Sequence, residues 1–148
     1  MSTENKSIVG RALAGLVDSG DVDTLASFLS EDFIHHRSDS TTSTRTQWLA
    51  AVRAALGPTA GMRVDILHLL ADGEHVVVHS RRRLPGSGPE IVVVDVLRMA
   101  EGRIAEVWEV IEPAAHAPAN GEWWDPTVAR SESGRGASAS GRRPAGGR

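Results

Sequence analysis

Two carboxylates stand in places where an apolar strand would exclude them. Asp95 interrupts Ile91-Val92-Val93-Val94 on one side and Val96-Leu97 on the other, and Glu109 lies between Trp108 and Val110-Ile111. Burying an ionised carboxylate is costly unless it is paired or neutralised. Two such groups in one apolar pocket push a pKa upward, which suits proton transfer near neutrality. The chemistry indicated is general acid and base catalysis by Asp95 and Glu109. The competing reading is structural, with each acid paired to Arg98, Arg81 or backbone amides of the helices.

Parity decides whether the two acids meet, because side chains alternate along a strand. A two-residue turn at Glu101-Gly102 would set Asp95 opposite Trp108 and send Glu109 to the far face. A turn at Ala100-Glu101-Gly102 ending in a left-handed glycine with a bulge puts the acids on one face, diagonally related. Glutamate is unfavourable at the first left-handed position of the shorter turn, so the bulged turn is expected. The acids then share a face with Val93, Leu97, Met99, Ala105, Val107 and Ile111, and Val93, Leu97 and Val107 are expected to contact a substrate. Centring the loop Pro85-Gly86-Ser87-Gly88-Pro89 on Ser87 places His79 opposite Asp95. There His79 would orient Asp95 or relay its proton, or else be a satisfied core histidine.

Periodicity supplies the elements that would hold these groups. Ile8, Ala12 and Leu16, with Val9, Leu13 and Val17, repeat every four residues and predict a helix over 4–18. Gly20 ends it, and Asp21 caps a shorter helix carrying Val22, Leu25, Phe28 and Leu29. Residues 33–36 read as a short extended piece and 37–44 as a polar loop. Thr44 and Gln47 form a capping box that opens a third helix with Trp48, Val52 and Leu56, stopped by Gly57-Pro58. Strands follow at about 62–71, 75–84, 90–99 and 103–112, with Asp72-Gly73 as a hairpin turn. Helices and then an antiparallel meander make an α+β pattern, with helices on one face of a curved sheet. If the acids face the helices, then Val92, Val94, Val96, Ile104, Trp108 and Val110 face away. An apolar patch of that size predicts a homodimer through the outer sheet face.

Composition narrows the partners. A chain of 148 residues can bury about two-thirds of its unfolded surface in one core. There is no cysteine, which removes disulfides, thiolate catalysis and thiolate metal sites. The start is polar and no run reaches membrane-spanning length, so a soluble cytoplasmic protein without a membrane partner is expected. The net charge is -3, and residues 130–148 hold five arginines and one glutamate, so this +4 leaves -7 on residues 1–129. An acidic body argues against nucleic acid as a partner. The domain is therefore expected over 1–129, with 130–148 as a disordered Arg/Gly/Ser-rich tail. Two histidines plus two carboxylates are a conceivable ligand set, yet no short-spaced pair such as H-x-x-x-H occurs, and no metal is expected.

Several stretches together resemble a known family. They are Asp32-Phe33-Ile34-His35-His36, Val76-Val77-Val78-His79-Ser80, Val93-Val94-Asp95-Val96, the run from Gly102 to Ile111, and Ala119-Asn120-Gly121. The order and spacing are similar to those of SnoaL-like proteins, in the branch described as predicted aldol-condensation-catalysing, within the nuclear transport factor 2-like superfamily. The resemblance implies a cone of three N-terminal helices on a curved, mostly antiparallel sheet around an apolar pocket, working without metal or cofactor. It also implies a general base at Glu109, an assisting pocket residue at Asp95, and His36 at the pocket mouth with His35 turned away. Val107-Trp108-Glu109 stands where the family shows His-Trp-Asp, which removes an imidazole and lengthens the carboxylate. Trp48 would close the pocket over a planar substrate, or else serve as core.

The reaction that the resemblance points to is aldol-type cyclisation, or isomerisation, of a hydrophobic carbonyl or polyketide-like molecule of secondary metabolism. A second reading is epoxide opening, which calls for an Asp-Arg-Asp arrangement; Arg98 has the wrong parity to join Asp95. A third is a non-catalytic small-molecule-binding module.

Overall fold

The computed structural model describes residues 2–124. Helix α1 spans Ser2–Ser19 and α2 spans Val22–Ser27, followed by strands β1, Leu29–Arg37, and β2, Thr42–Thr44. Helix α3 covers Arg45–Leu56, and four long strands follow: β3 Arg63–Asp72, β4 His75–Arg83, β5 Glu90–Ala100 and β6 Arg103–Pro113. The capping box is formed as its sequence implies, with the Thr44 side chain accepting from Gln47 N–H and Gln47 reaching back to the Thr44 N–H. Strand β2 lies in the stretch read as loop; its Thr-Ser-Thr carries no apolar period to announce it. The expected boundary at 129 and the tail at 130–148 lie outside the described residues. The compact unit that carries the site runs through Ala114, and a 3₁₀ segment, Ala114–Trp124, follows.

The six strands form one sheet in the order β2-β1-β6-β5-β4-β3. Strand β1 runs parallel to β6 and every other pair is antiparallel. The three helices pack on one face of this curved sheet, an α+β architecture. Between them lie Val9, Leu25, Leu29, Phe33, Val76, Val78 and Val107, all buried. Each full burial of such a side chain stabilises by about 1.5–3 kcal/mol, which fixes the inward parity of β1, β4 and β6.

The β4–β5 register differs from the expected one by a single residue. Val78 stands opposite Asp95, and His79 opposite Val94. The connecting loop holds an even number of residues, 84–89, closed by Leu84 N–H donating to Pro89 O and Gly88 N–H to Pro85 O, each at 3.3 Å. An even loop moves the centre off Ser87. The energetic reason lies in the strand: Val76, Val78 and Ser80 are buried, whereas the expected register would turn His79, Arg81 and Arg83 inward. Arg81 and Arg83 instead pair with Glu90. His79 therefore belongs to the outer face, its Nδ1 2.9 Å from Nδ1 of His68, and is not a partner of Asp95.

The β5–β6 turn also differs. It is the two-residue Glu101-Gly102 turn, with φ of 51° and 73° and Ala100 paired with Arg103. The bulge lies further along: the register shifts between the Arg98–Glu106 and Met99–Ile104 pairs, which leaves Ala105 as the extra residue. Ile104 and Ala105 are both buried in consequence, so Ile104 is core and not outer face. The extra apolar side chain under the helices, Ile104, offsets the ~1–2 kcal/mol of a left-handed glutamate. Asp95 and Glu109 end directly opposite each other, rather than diagonal.

Candidate functional site

The inner sheet face and the helices enclose a cleft with two compartments. The inner one is a cavity of about 80 Å³ walled by Val9, Leu25, Leu29, Leu97 and Val107, with His35 and Asp95 on its wall. The outer one, of about 610 Å³, is bordered by the end of α1, by α3 and by the segment through Met62. Leu13, Leu16, Trp48, Arg82 and Glu109 line both, and so form the neck between them. The outer volume is that of a small-molecule site.

Four polar side chains meet at the neck. Asp95 is 7% exposed and His35 1%. Arg82 Nη2 lies 3.3 Å from Asp95 Oδ2, and Arg82 Nε donates to the Ser80 hydroxyl at 3.4 Å. His35 Nε2 approaches Glu109 Oε1 at 3.4 Å, without the alignment of a hydrogen bond, so that neither ring nitrogen has a hydrogen-bond partner. The contact is an electrostatic one. Trp48 stacks on His35 with centroids 5.5 Å apart and packs on Phe33 at 5.1 Å, which fixes the imidazole plane. A buried imidazole without an aligned hydrogen bond is unfavourable and can accept or donate one to a polar group of a ligand.

The two carboxyls are displaced in opposite directions. Burial, and then the charge of Glu109 across the ladder, raise Asp95 to about 6 against the opposing pull of Arg82 and His35. Burial also acts upward on Glu109 and is its largest single influence, but His35, Arg82 and Arg37 together outweigh it and hold Glu109 below its ordinary value. Near pH 5.5 the site therefore pairs a protonated Asp95 with an ionised Glu109, an acid beside a base.

The structure redistributes the expected residues. Asp95 and Glu109 come together, and Leu97, Val107 and Trp48 line the cleft. Val93 shares their face, fully buried, but lines neither compartment. His36 does not reach the pocket mouth: it lies on the outer face, where Nε2 is 2.6 Å from Glu106 Oε2 and the ring stacks on Trp108 at 5.0 Å. His35 takes the inward place. The signal was Phe33, the bulkiest buried residue of β1, because a residue two positions on must share its face. Arg82 was likewise legible from Val76, Val78 and Ser80, whose parity it continues. Arg98 turns outward to Glu106, Nε to Oε1 at 3.0 Å. Among the described residues no three His, Asp or Glu side chains converge at metal-ligand spacing, and no helix is long and apolar enough to cross a membrane.

A family model described as a SnoaL-like domain matches residues 9–107. No curated protein matches the chain. Among solved structures, it is similar to a protein from Shewanella putrefaciens named as a SnoaL-like polyketide cyclase, at 19% identity over 75% of this chain and 80% of that one, with a TM-score of 0.64. It is also similar to an LEH-like epoxide hydrolase of M. tuberculosis, at 20% identity over 75% and 84%, TM-score 0.62. An NTF2-like protein from Mesorhizobium loti aligns at 18% identity over 75% and 93%, TM-score 0.63. At these identities the likeness is one of fold, that of the nuclear transport factor 2-like proteins.

Proposed function

Because the chain belongs to the SnoaL-like domain family, we propose that it is a cofactor-independent enzyme performing acid–base cyclisation or isomerisation of a hydrophobic carbonyl compound. The observation that carries this reading is the directly opposed, buried Asp95–Glu109 pair with opposite pKa displacements. Glu109, at the neck, takes a proton from the carbon next to a carbonyl. The C–H electron pair becomes a C=C bond as the carbonyl oxygen takes the proton of Asp95, which gives an enol. When the enol carbon attacks a second carbonyl of the same molecule, its O–H proton returns to Asp95, and Glu109 protonates the new alkoxide. The net change is an isomerisation and both acids are restored. His35 stands beside them, its Nε2 3.4 Å from Glu109 Oε1 and neither ring nitrogen in an aligned hydrogen bond. Incubation of a hydrophobic 1,3-diketone in D2O tests the first half: the enzyme should accelerate loss of the α-proton NMR signal and Glu109→Gln should not. Equal rates in both would defeat the reading.

Arg82 supports a second reading. It supplies the guanidinium that Arg98 could not, in contact with Asp95 and with its charge acting on Glu109. In an epoxide-opening reaction Asp95 protonates the oxirane oxygen as the C–O bond breaks, and Glu109 draws a proton from the water that forms the new C–O bond. Label from H2(18)O in the product would identify this chemistry; cyclisation incorporates none. A binding module would keep its ligand affinity yet show neither activity.

We also propose a homodimer through the outer sheet face, in a cytoplasmic protein of polyketide-type secondary metabolism. Ile34 and Val110 there are 39% and 54% exposed, beside half-buried Val92, Val94 and Val96. Light scattering at micromolar concentration should give twice the chain mass; a monodisperse monomer would exclude the dimer.

A further inference from the structure

Two carboxyls that face each other compete for one proton, and only their surroundings decide which of them holds it. We propose that His35, braced by Trp48, is the positioning residue that makes this decision: the imidazole holds Glu109 as the ionised partner and leaves the proton to Asp95. This rests on the acid–base reading above, in which Glu109 is the base and Asp95 the acid. The allocation matters because Glu109 lines both compartments and Asp95 only the inner one. A proton on Glu109 would leave the carbon at the neck without a base.

The polar groups form a row across four neighbouring strands: His35 on β1, Glu109 on β6, Asp95 on β5 and Arg82 on β4. The acids occupy the centre, directly opposite each other, with one basic side chain at each end. Arg82 touches Asp95 at 3.3 Å, a contact that by itself favours an ionised Asp95, the wrong allocation. His35 opposes it from the other end. Its Nε2 lies 3.4 Å from Glu109 Oε1, and the whole of β6 separates it from Asp95. Burial is the largest influence on both acids and acts upward; after burial, His35 is the foremost influence on Glu109 and the least of those on Asp95. The remaining charge facing Glu109 comes from Arg37, level with it on β1, while the helices contribute uncharged Leu13, Leu16 and Trp48. The imidazole is held in place. It is 1% exposed, Trp48 stacks on it at 5.5 Å, and Trp48 in turn packs at 5.1 Å on Phe33, which is equally buried. Trp48 lies in the first turn of α3, which the Thr44–Gln47 capping box fixes.

Carboxyl-carbon NMR titration of the full-length protein, wild type against His35→Phe and His36→Phe, tests this without requiring turnover. Phenylalanine keeps a ring against Trp48 and removes the contact with Glu109. In His35→Phe, Glu109 should titrate at higher pH than in the wild type, so that the separation between the two acids narrows. The rising limb of kcat/KM should move up with it and narrow the pH optimum from its acid side. His36→Phe, on the outer face, should leave both midpoints in place. Trp48→Leu keeps the imidazole without its brace and should move Glu109 in the same direction by less. If His35→Phe does not fold, His35→Gln serves the same comparison, with a smaller shift because the amide retains a donor. Unchanged midpoints in the His35 variant, or an equal shift in His36→Phe, would overturn the assignment and leave the acid–base reading standing. An unmoved Glu109 in Trp48→Leu would overturn the bracing. If Glu109 already holds its proton to higher pH than Asp95 in the wild type, the acid–base reading falls and this inference with it.

Discussion

Neighbouring strands of one sheet carry two histidine–glutamate–arginine groupings, one on each face. On the outer face His36, Glu106 and Arg98 are mutually satisfied: the imidazole contacts one carboxylate oxygen at 2.6 Å, the guanidinium the other at 3.0 Å, and Trp108 covers the ring. Burial acts upward on Glu106, but the hydrogen bonds from His36 and Arg98 and the charge of Arg98 outweigh it and hold Glu106 below its ordinary value. On the inner face His35, Glu109 and Arg82 have a second carboxyl in their midst, no aligned hydrogen bond to the imidazole, and an open cavity beside them. Nearly identical side chains thus build a closed structural network on one side and an unsatisfied, charge-frustrated one on the other. Burial and the fourth group, Asp95, make the difference. Proton transfer needs the second kind of arrangement.

Substitutions that treat the two faces alike should separate them. Glu109→Gln is expected to lower kcat by about 10²–10⁴-fold with ligand affinity held within a few-fold, whereas Glu106→Gln should leave kcat unchanged; steady-state kinetics and calorimetry on both variants check this. An equal loss in the two would abolish the distinction. The pH profile of kcat/KM should rise as Glu109 ionises below its ordinary range and fall as Asp95 loses its proton at about 6. In Asp95→Asn the falling limb near 6 should vanish.

Stability should show the same contrast with smaller effects. Asp95 binds its proton more tightly folded than unfolded, since its pKa rises from 3.8 to about 6. Its contribution is therefore full below about pH 4 and is lost as pH climbs through 6, a difference of about 3 kcal/mol. Asp95→Asn should accordingly melt above the wild type at pH 8, with the gain shrinking at pH 4. A constant difference across that range would contradict the raised value. His35→Phe should change stability by less than about 1 kcal/mol, because loss of the His35–Glu109 contact offsets relief of a poorly bonded buried imidazole, while His36→Phe should cost about 1 kcal/mol by breaking a satisfied contact. Denaturant unfolding of the pair measures both. Smallest of all, Glu101→Asn should stabilise by about 0.5 kcal/mol by relieving the left-handed glutamate.

Much of this fold was legible because local signals agreed. The four-residue repeat of α1, the Thr44–Gln47 box and the valine-rich strands each specify one element by themselves. The site was legible in type and less so in partners. Asp95 and Glu109 announce themselves as carboxylates among valines, and their common face was anticipated for a reason that the chain does not use. The turn penalty at Glu101 favours a bulged turn, but the buried Ile104-Ala105 pair sets the outcome, and packing of that kind involves Phe28 and the helices, beyond the reach of hairpin chemistry. His79 and Arg82 exchange faces relative to the composition-based loop, because composition does not set loop length, whereas the alternation Val76, Val78, Ser80 fixes parity. His35 and His36 changed places for the same reason, with Phe33 as the marker.

Most directly decisive is a carboxyl-carbon NMR titration of Asp95 and Glu109 in the folded protein between pH 3 and 8. Asp95 should titrate near 6 and Glu109 below the ordinary glutamate value. Both groups titrating together at unperturbed values, or Glu109 holding its proton to higher pH than Asp95, would leave the inner face without its acid and its base.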